Sequence, residues 1–233
     1  MVGDAPDQLA FAGGEPATAC RCCGLDEVGR GALAGPLVAA ATILPDDFVG
    51  RLGPLAPFLR DSKTVPKVRR EQVAAVIRAH ALVVEVEVLP VEVINRRGIG
   101  WANREAFRRL IRRVEADLYV VDGRVPPLAA WERAGRVRCQ VKADVDVPAV
   151  SAASLVAKVY RDALMAELHR RYPVFCWEAN VGYGTPAHLA ALRTHGVTPE
   201  HRTVFVATAL GGGQRAKRAQ ARKAPAQLDT LLD

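Results

Sequence analysis

The sequence predicts an α/β fold: a mixed central sheet flanked by helices, with a small helical part at the C-terminal end. Three observations carry this reading. Apolar runs of strand length alternate with stretches of helical period through the middle of the chain. Strands dominate early and helices late. One segment, Leu82 to Leu89, alternates strictly, with Val84, Val86 and Val88 facing one way and Glu85 and Glu87 the other, as a half-buried strand does.

Taken in order, Cys23 to Asp26 and Leu37 to Leu44 are strands separated by a glycine-rich turn. Val65-Pro66 opens a helix through Val73, Val76 and Ile77, with Pro66 suited to the first turn. After the alternating strand, Asn103, Phe107, Leu110, Ile111 and Val114 recur at helical spacing with arginines opposite. Leu118 to Val121 is a short buried strand that stops at Asp122-Gly123, and Val137 to Val141 is another, ending near Lys142 and Asp144. Val150 to His169 is a long helix closed by Tyr172-Pro173. Thr185-Pro186 and Thr198-Pro199 each have the form of an N-cap followed by proline, and the second is expected to begin a final short helix.

Composition bounds the rest. The 233 residues carry 32 Lys+Arg against 25 Asp+Glu, a formal charge of +7, which suits a polyanionic partner. At this length one main domain is the default, and it needs no disulfide staples. Residues 1–19 form an acidic arm without Lys or Arg, 20–210 carry the apolar pattern, with the helical part from about 172, and 211–233 form a basic tail expected to be disordered. No apolar run is long enough to span a bilayer and no basic-then-apolar leader opens the chain, so a cytoplasmic protein is expected. The five cysteines are an odd set with three crowded together, which argues against a disulfide framework.

The chemistry gathers where strands stop. Asp26-Glu27 close the first strand, Asp122 closes a later one, and Asp144 lies just beyond another. Carboxylates at strand ends can converge on one rim of a sheet, where loops and active sites collect. Such acids repel one another unless cations neutralise them, and an oxygen-only set suits Mg²⁺ or Mn²⁺ rather than Zn²⁺. A pair of such ions roughly 3.5–4 Å apart serves in-line attack on a phosphodiester. Each acid alone reads equally as a turn or a solvated surface group. Their shared placement, and Gly29-Arg30-Gly31 just after, with glycines that let the backbone approach phosphate or sugar, raise the catalytic reading above that.

The stretch Asp26-Glu27-Val28-Gly29-Arg30-Gly31-Ala32-Leu33-Ala34-Gly35-Pro36-Leu37-Val38-Ala39-Ala40-Ala41 closely resembles the signature of bacterial ribonuclease HII, the type 2 ribonuclease H family. The likeness continues in family order at Asp61-Ser62-Lys63, Val121-Asp122-Gly123, Lys142-Ala143-Asp144, Ser151 to Asp162, Gly182-Tyr183-Gly184-Thr185, His195-Gly196 and His201-Arg202, over roughly residues 22–206. The resemblance implies a ribonuclease H-like fold. It implies an endonuclease that cuts the RNA strand of RNA–DNA hybrids and nicks duplex DNA 5′ of embedded ribonucleotides, leaving 3′-OH and 5′-phosphate ends. By similarity Asp26, Glu27 and Asp122 are the principal metal-binding acids and Asp144 the fourth. Gly29, Arg30 and Gly31 read the ribose 2′-OH through the backbone, Tyr183 stacks at the RNA–DNA junction, and Lys63 and Lys158 lie near phosphates. The chain departs from the family at Val181, commonly Lys, at Ala143, commonly Gly, and at Pro66, often Ser. The related ribonuclease HIII commonly lacks the Arg of Gly-Arg-Gly and carries an extra N-terminal domain.

Several residues tempt without carrying function. Cys20, Cys22 and Cys23 lack a second ligand pair and read as the lead-in to a strand rather than a zinc site. Asp162 reads as an ion-pair or helix-face residue. His188, His195 and His201 are assigned to structure or to substrate proximity, not to general-base duty. Arg215, Lys217, Arg218, Arg222 and Lys223 are either a salt-sensitive attraction for nucleic acid or a solvated end. Two other functions stay open from the sequence: a non-catalytic hybrid-binding protein, and a DNA-only nuclease of the same fold. A monomer is expected.

Overall fold

The computed structural model describes residues 20–60, 62–124 and 133–211; the arm, Asp61 and the tail cations lie outside them. Five strands form one sheet in the order β3-β2-β1-β4-β5. These are β1 (Cys22–Val28), β2 (Leu37–Ile43), β3 (Val83–Leu89), β4 (Leu118–Asp122) and β5 (Val137–Gln140). The pairs β1–β2 and β2–β3 are antiparallel, whereas β1–β4 and β4–β5 are parallel. The mixed α/β class predicted from the sequence is the one observed.

Alternation along the strands divides the core in two. Cys23 and Leu25 of β1, Ala39 and Ala41 of β2, and Tyr119 and Val121 of β4 pack on one face under α4 (Ile99–Arg113), through Ala106, Phe107, Leu110 and Ile111. Val38 and Ala40 face the other way, onto α2 (Lys67–His80) and the first half of α6 (Pro148–Arg171). The start of α6 lies so close to β1 that a Cβ on Gly24 would sit 2.2 Å from the backbone of Ala149 and Val150. Thr42 seals the same contact, donating to Ala149 O at 2.6 Å. The run of Ala and Ser from Ala149 to Ala157 is therefore what this packing demands, since no bulkier face could approach a strand so nearly.

Shorter helices complete the chain: α1 (Phe48–Arg51), α3 (Val91–Arg97), α5 (Ala143–Asp146), α7 (Trp177–Asn180), α8 (Pro186–His195) and α9 (Thr203–Ala209). The C-terminal elements gather a separate cluster, in which Met165, Phe175, Trp177, Leu192 and Val206 pack on Leu33 and Ala34 of the β1–β2 loop.

Four expectations change. β1 runs on to Val28, so Asp26 and Glu27 lie within the strand rather than at its end. Pro66 precedes the first turn of α2 as its cap, with ψ 143°, and does not begin it. The Glu face of β3 is not a solvated face: Glu87 is 7% exposed beneath α4, where Arg109 (3.1 Å) and Arg113 (2.8 Å) neutralise it. Thr198-Pro199 does not begin the last helix, which starts at Thr203. Thr198 caps an imidazole instead, its N–H donating to His201 Nδ1 at 2.9 Å.

That bond fixes a tautomer chain. With Nδ1 of His201 accepting, its Nε2–H faces His188 Nε2 at 3.2 Å, and His188 Nδ1–H donates to Tyr183 O at 2.9 Å. Trp177 Nε1 donates to the same His188 Nε2 at 3.1 Å. Both rings are fully buried, and burial lowers both pKa values, His201 to about 4. Folded-state values below the unfolded one of roughly 6.5 mean that the unfolded chain takes up protons first as pH falls. The contribution of this pair is present above about pH 6.5 and is lost through the window down to about 4. Urea midpoints measured across that window should fall more steeply for the native chain than for His201→Asn.

Candidate active site

Asp26 and Asp122 are brought abreast by strand register. Leu25 pairs with Val121 in the parallel β1–β4 ladder, so the next residues stand side by side near the carboxyl ends of both strands. Alternation puts the two side chains on the α6 face, with Gly24 and Val120, and turns Glu27 to the other face at the same rim. Asp26 is 7% exposed and accepts the Glu27 backbone N–H at 2.7 Å. Desolvation, then the charge of Glu27, holds its carboxyl well above the ordinary range, opposed by the Ser154 hydroxyl. Glu27 is pushed up to about 7, again by burial first, with Asp122 adding repulsion and Arg30 and Lys63 opposing it. Arg30 itself stands 3.8 Å from Glu27.

The fourth acid arrives through a cap. Asp122 Oδ1 accepts the N–H of Ala143 at 2.9 Å, which ties the start of α5 to the end of β4 and sets Asp144 next to the rim. Asp144 is 9% exposed, and its carbonyl takes the Ser151 hydroxyl at 2.8 Å. The left-handed residue of this turn is Lys142, with φ 62°, and Ala143 is helical, so the methyl group that distinguishes it from glycine meets no backbone obstacle.

The donor set is entirely oxygen and largely buried, with Asp26, Glu27 and Asp122 repelling one another, which is the chemistry of a hard divalent cation site. Among the described residues, however, no three His, Cys, Asp or Glu side chains stand close enough to hold one ion as they are. Glu27 lies across the strand from Asp26 and Asp122, and the three aspartates do not group around one ion either. The cysteines give no rival centre. Cys22 and Cys23 belong to β1, and burial raises the Cys23 thiol to about 12.

The other expected residues divide. Lys63 is exposed, in a turn whose Ser62 accepts the Ser154 hydroxyl at 2.9 Å, and its charge reaches Glu27. Lys158 is instead held by Asp162 at 2.6 Å, with Arg70 at 3.4 Å from the same carboxylate. Asp162 thus acts as the ion-pair residue expected of it, although its partners are Lys158 and Arg70 rather than the adjacent Arg161. Tyr183 is 36% exposed, and a Cβ on Gly31 would lie 4.0 Å from its ring. Val181, before it, adopts φ 44°, a left-handed conformation unfavourable for a branched side chain. Its carbonyl is taken by Arg161 at 2.8 Å. His188 and His201 are internal struts and His195 is exposed.

Two residues went unremarked as site elements in the sequence. Arg161 and Arg202 are both fully buried, and together they hold the β1–β2 loop by its carbonyls. The signal was present: an arginine inside the apolar run of α6, and another directly after His201. Neither implies a loop clamp without coordinates.

Comparison with known proteins follows the same residues. A family model described as Ribonuclease HII matches residues 23–208. Ribonuclease HII of Granulibacter bethesdensis is 44% identical over 78% of this chain and 82% of its own length. That of Thermosynechococcus vestitus is 42% identical over 82% and 86%. Among solved structures, the Archaeoglobus fulgidus PCNA:RNase HII complex aligns with a TM-score of 0.66 and 28% identity, covering 78% of this chain and 93% of that one.

If the acids repel as their environment implies, Asp122→Asn should raise the thermal midpoint of the metal-free protein in EDTA. A lowered midpoint would mean that the Ala143 cap outweighs the repulsion.

Proposed function

The chain belongs to the ribonuclease HII family, and we propose that its acidic rim hydrolyses phosphodiesters at ribonucleotides in RNA–DNA hybrids and in duplex DNA. It is a type 2 ribonuclease H, a hydrolase. The observation that carries the detailed reading is the rim itself: Asp26 and Asp122 abreast on adjacent parallel strands, with Glu27 beside them and Asp144 tethered through the Ala143 cap. Carboxyl groups whose protonation is favoured by burial and mutual charge call for an external cation.

Asp26, Glu27 and Asp122 would hold Mg²⁺ or Mn²⁺, with Asp144 as the fourth acid of the site. When bound, such ions supply positive charge to the scissile phosphate and acidify water for in-line attack. The protein's own groups do the rest. The backbone of Gly29, Arg30 and Gly31 offers donors to a ribose 2′-OH, the group that distinguishes RNA from DNA. The Tyr183 ring offers a stacking surface beside that segment, and Lys63 offers a cation to the neighbouring phosphate. Lys158 reaches phosphate by leaving Asp162. Hydrolysis on the 5′ side of the ribonucleotide would leave 3′-OH and 5′-phosphate ends. The excess of cations suits attraction to a nucleic acid backbone, and among the described residues no helix is long and apolar enough to cross a membrane. The protein is proposed to act in the cytoplasm and as a monomer.

A labelled duplex carrying one ribonucleotide should be nicked with Mg²⁺ or Mn²⁺ and left intact in EDTA. Asp26→Asn and Asp122→Asn should each abolish the nick with the fold retained. Binding without a metal-dependent nick would instead indicate a hybrid-binding protein, and equal cleavage of all-DNA duplex a DNA nuclease.

Tyr183→Ala should lower kcat/KM at single ribonucleotides by the equivalent of about 1–3 kcal/mol, the range for a base-stacking aromatic. An unchanged value would assign the ring to packing.

A further inference from the structure

The β1–β2 loop is hung from inside the protein by its carbonyls. Arg161 donates from Nη2 to Ala34 O (3.0 Å) and from Nε to Pro36 O (2.9 Å). Arg202 donates from Nε and Nη2 to Gly35 O (3.0 and 2.8 Å) and from Nη1 to Arg30 O (3.1 Å). Neither guanidinium has a carboxylate in an ion pair among the described residues, so their charge is spent on peptide oxygens.

A trans peptide points its C=O and the following N–H in opposite directions. Each carbonyl drawn inward therefore turns one amide outward. At the far end of the loop that amide is used: Ala34 O is held by Arg161 while Gly35 N–H donates to Glu200 O at 2.9 Å. Leu33 O takes the Arg202 N–H at 2.8 Å while Ala34 N–H donates to Gly182 O at 3.2 Å. The peptide between residues 30 and 31 differs. Its carbonyl is held by Arg202, but Gly31 N–H has no partner among the described residues, and Gly31 lies beside the Tyr183 ring.

We infer that Arg202 is a positioning residue for ribose selectivity: by fixing the carbonyl of Arg30 inward, it presents the unused Gly31 N–H to the 2′-OH of the ribonucleotide. This rests on the reading of residues 29–31 as the ribose-facing segment. Arg202 never touches substrate. It acts through one peptide plane, and the requirement is for a planar fork that spans Arg30 O and Gly35 O together. Lysine, with a single nitrogen, can satisfy one of those carbonyls but cannot bridge both in that geometry.

The test is the affinity ratio for two duplexes that differ by one 2′-OH, measured with Ca²⁺ in place of the catalytic ion, on the native chain, Arg202→Lys and Arg202→Gln. The native chain should prefer the ribonucleotide duplex. Arg202→Lys should keep its fold by circular dichroism, keep its affinity for the all-DNA duplex within twofold, and lose about tenfold of the ratio. Replacing the residue 30–31 amide by an ester should cost the same, and adding it to Arg202→Lys should cost little more. A folded lysine or glutamine variant with the native ratio overturns the inference. So does failure of both variants to fold, which would assign the clamp to the fold alone. A native chain without any ribose preference would instead overturn the reading of residues 29–31.

Discussion

The close approach of α6 to β1 is the constraint on which the rest depends. Gly24 leaves room for the helix backbone where any side chain would collide with Ala149 and Val150. That contact sets the depth at which α6 crosses the sheet, and two consequences follow along its length. Ser154 is delivered to Asp26 and Ser62, so the acidic rim and the turn carrying Lys63 share one support. About two turns further on, Arg161 is delivered beneath the β1–β2 loop. A Cβ on Gly29 would stand 2.1 Å from its Nε. The sheet supplies acids, the helix fixes their distance from the loop, Gly24 is where the two backbones touch, and Gly29 is where the loop backbone meets the Arg161 side chain.

The C-terminal helices are joined to this unit by polar groups as much as by apolar ones. Leu33 and Ala34 enter the cluster of Phe175, Trp177 and Val206, but the directional bonds come from Arg202 and Gly182. Buried polar groups of this kind are costly unless each finds its partner. Here the carbonyls of residues 30 to 36 and 181 provide those partners. Tyr183 is held at its carbonyl by His188 and at its N–H by the Asn180 carbonyl, so its backbone is fixed while its ring remains half open to solvent.

Much of this was legible from the residues alone. The mixed α/β class, the long α6 and the structural role of Asp162 all follow from periodicity and local chemistry. What escaped depends on contacts between distant segments. The Val/Glu alternation of β3 describes a polar face correctly but cannot say that α4 covers it with Arg109 and Arg113. Thr198-Pro199 carries a helix-start signal, yet both the hydroxyl and the amide of Thr198 are engaged by the buried imidazole of His201 instead. An arginine on a helix reads as surface, and only the carbonyl-rich underside of a glycine loop makes Arg161 and Arg202 interior residues. The four acids themselves were visible, but not that, among the described residues, no three of them stand close enough to share one ion.

The clamped loop also bears on how a duplex is captured. Because its carbonyls are already tied down and Gly182 is wedged against Ala34, with a Cβ there only 2.4 Å from the carbonyl oxygen, this loop wall is held in place before any nucleic acid arrives. Association then spends little conformational entropy on that wall. Under the ribose-facing reading proposed for residues 29–31, discrimination then resides in a preformed surface rather than in a closing motion.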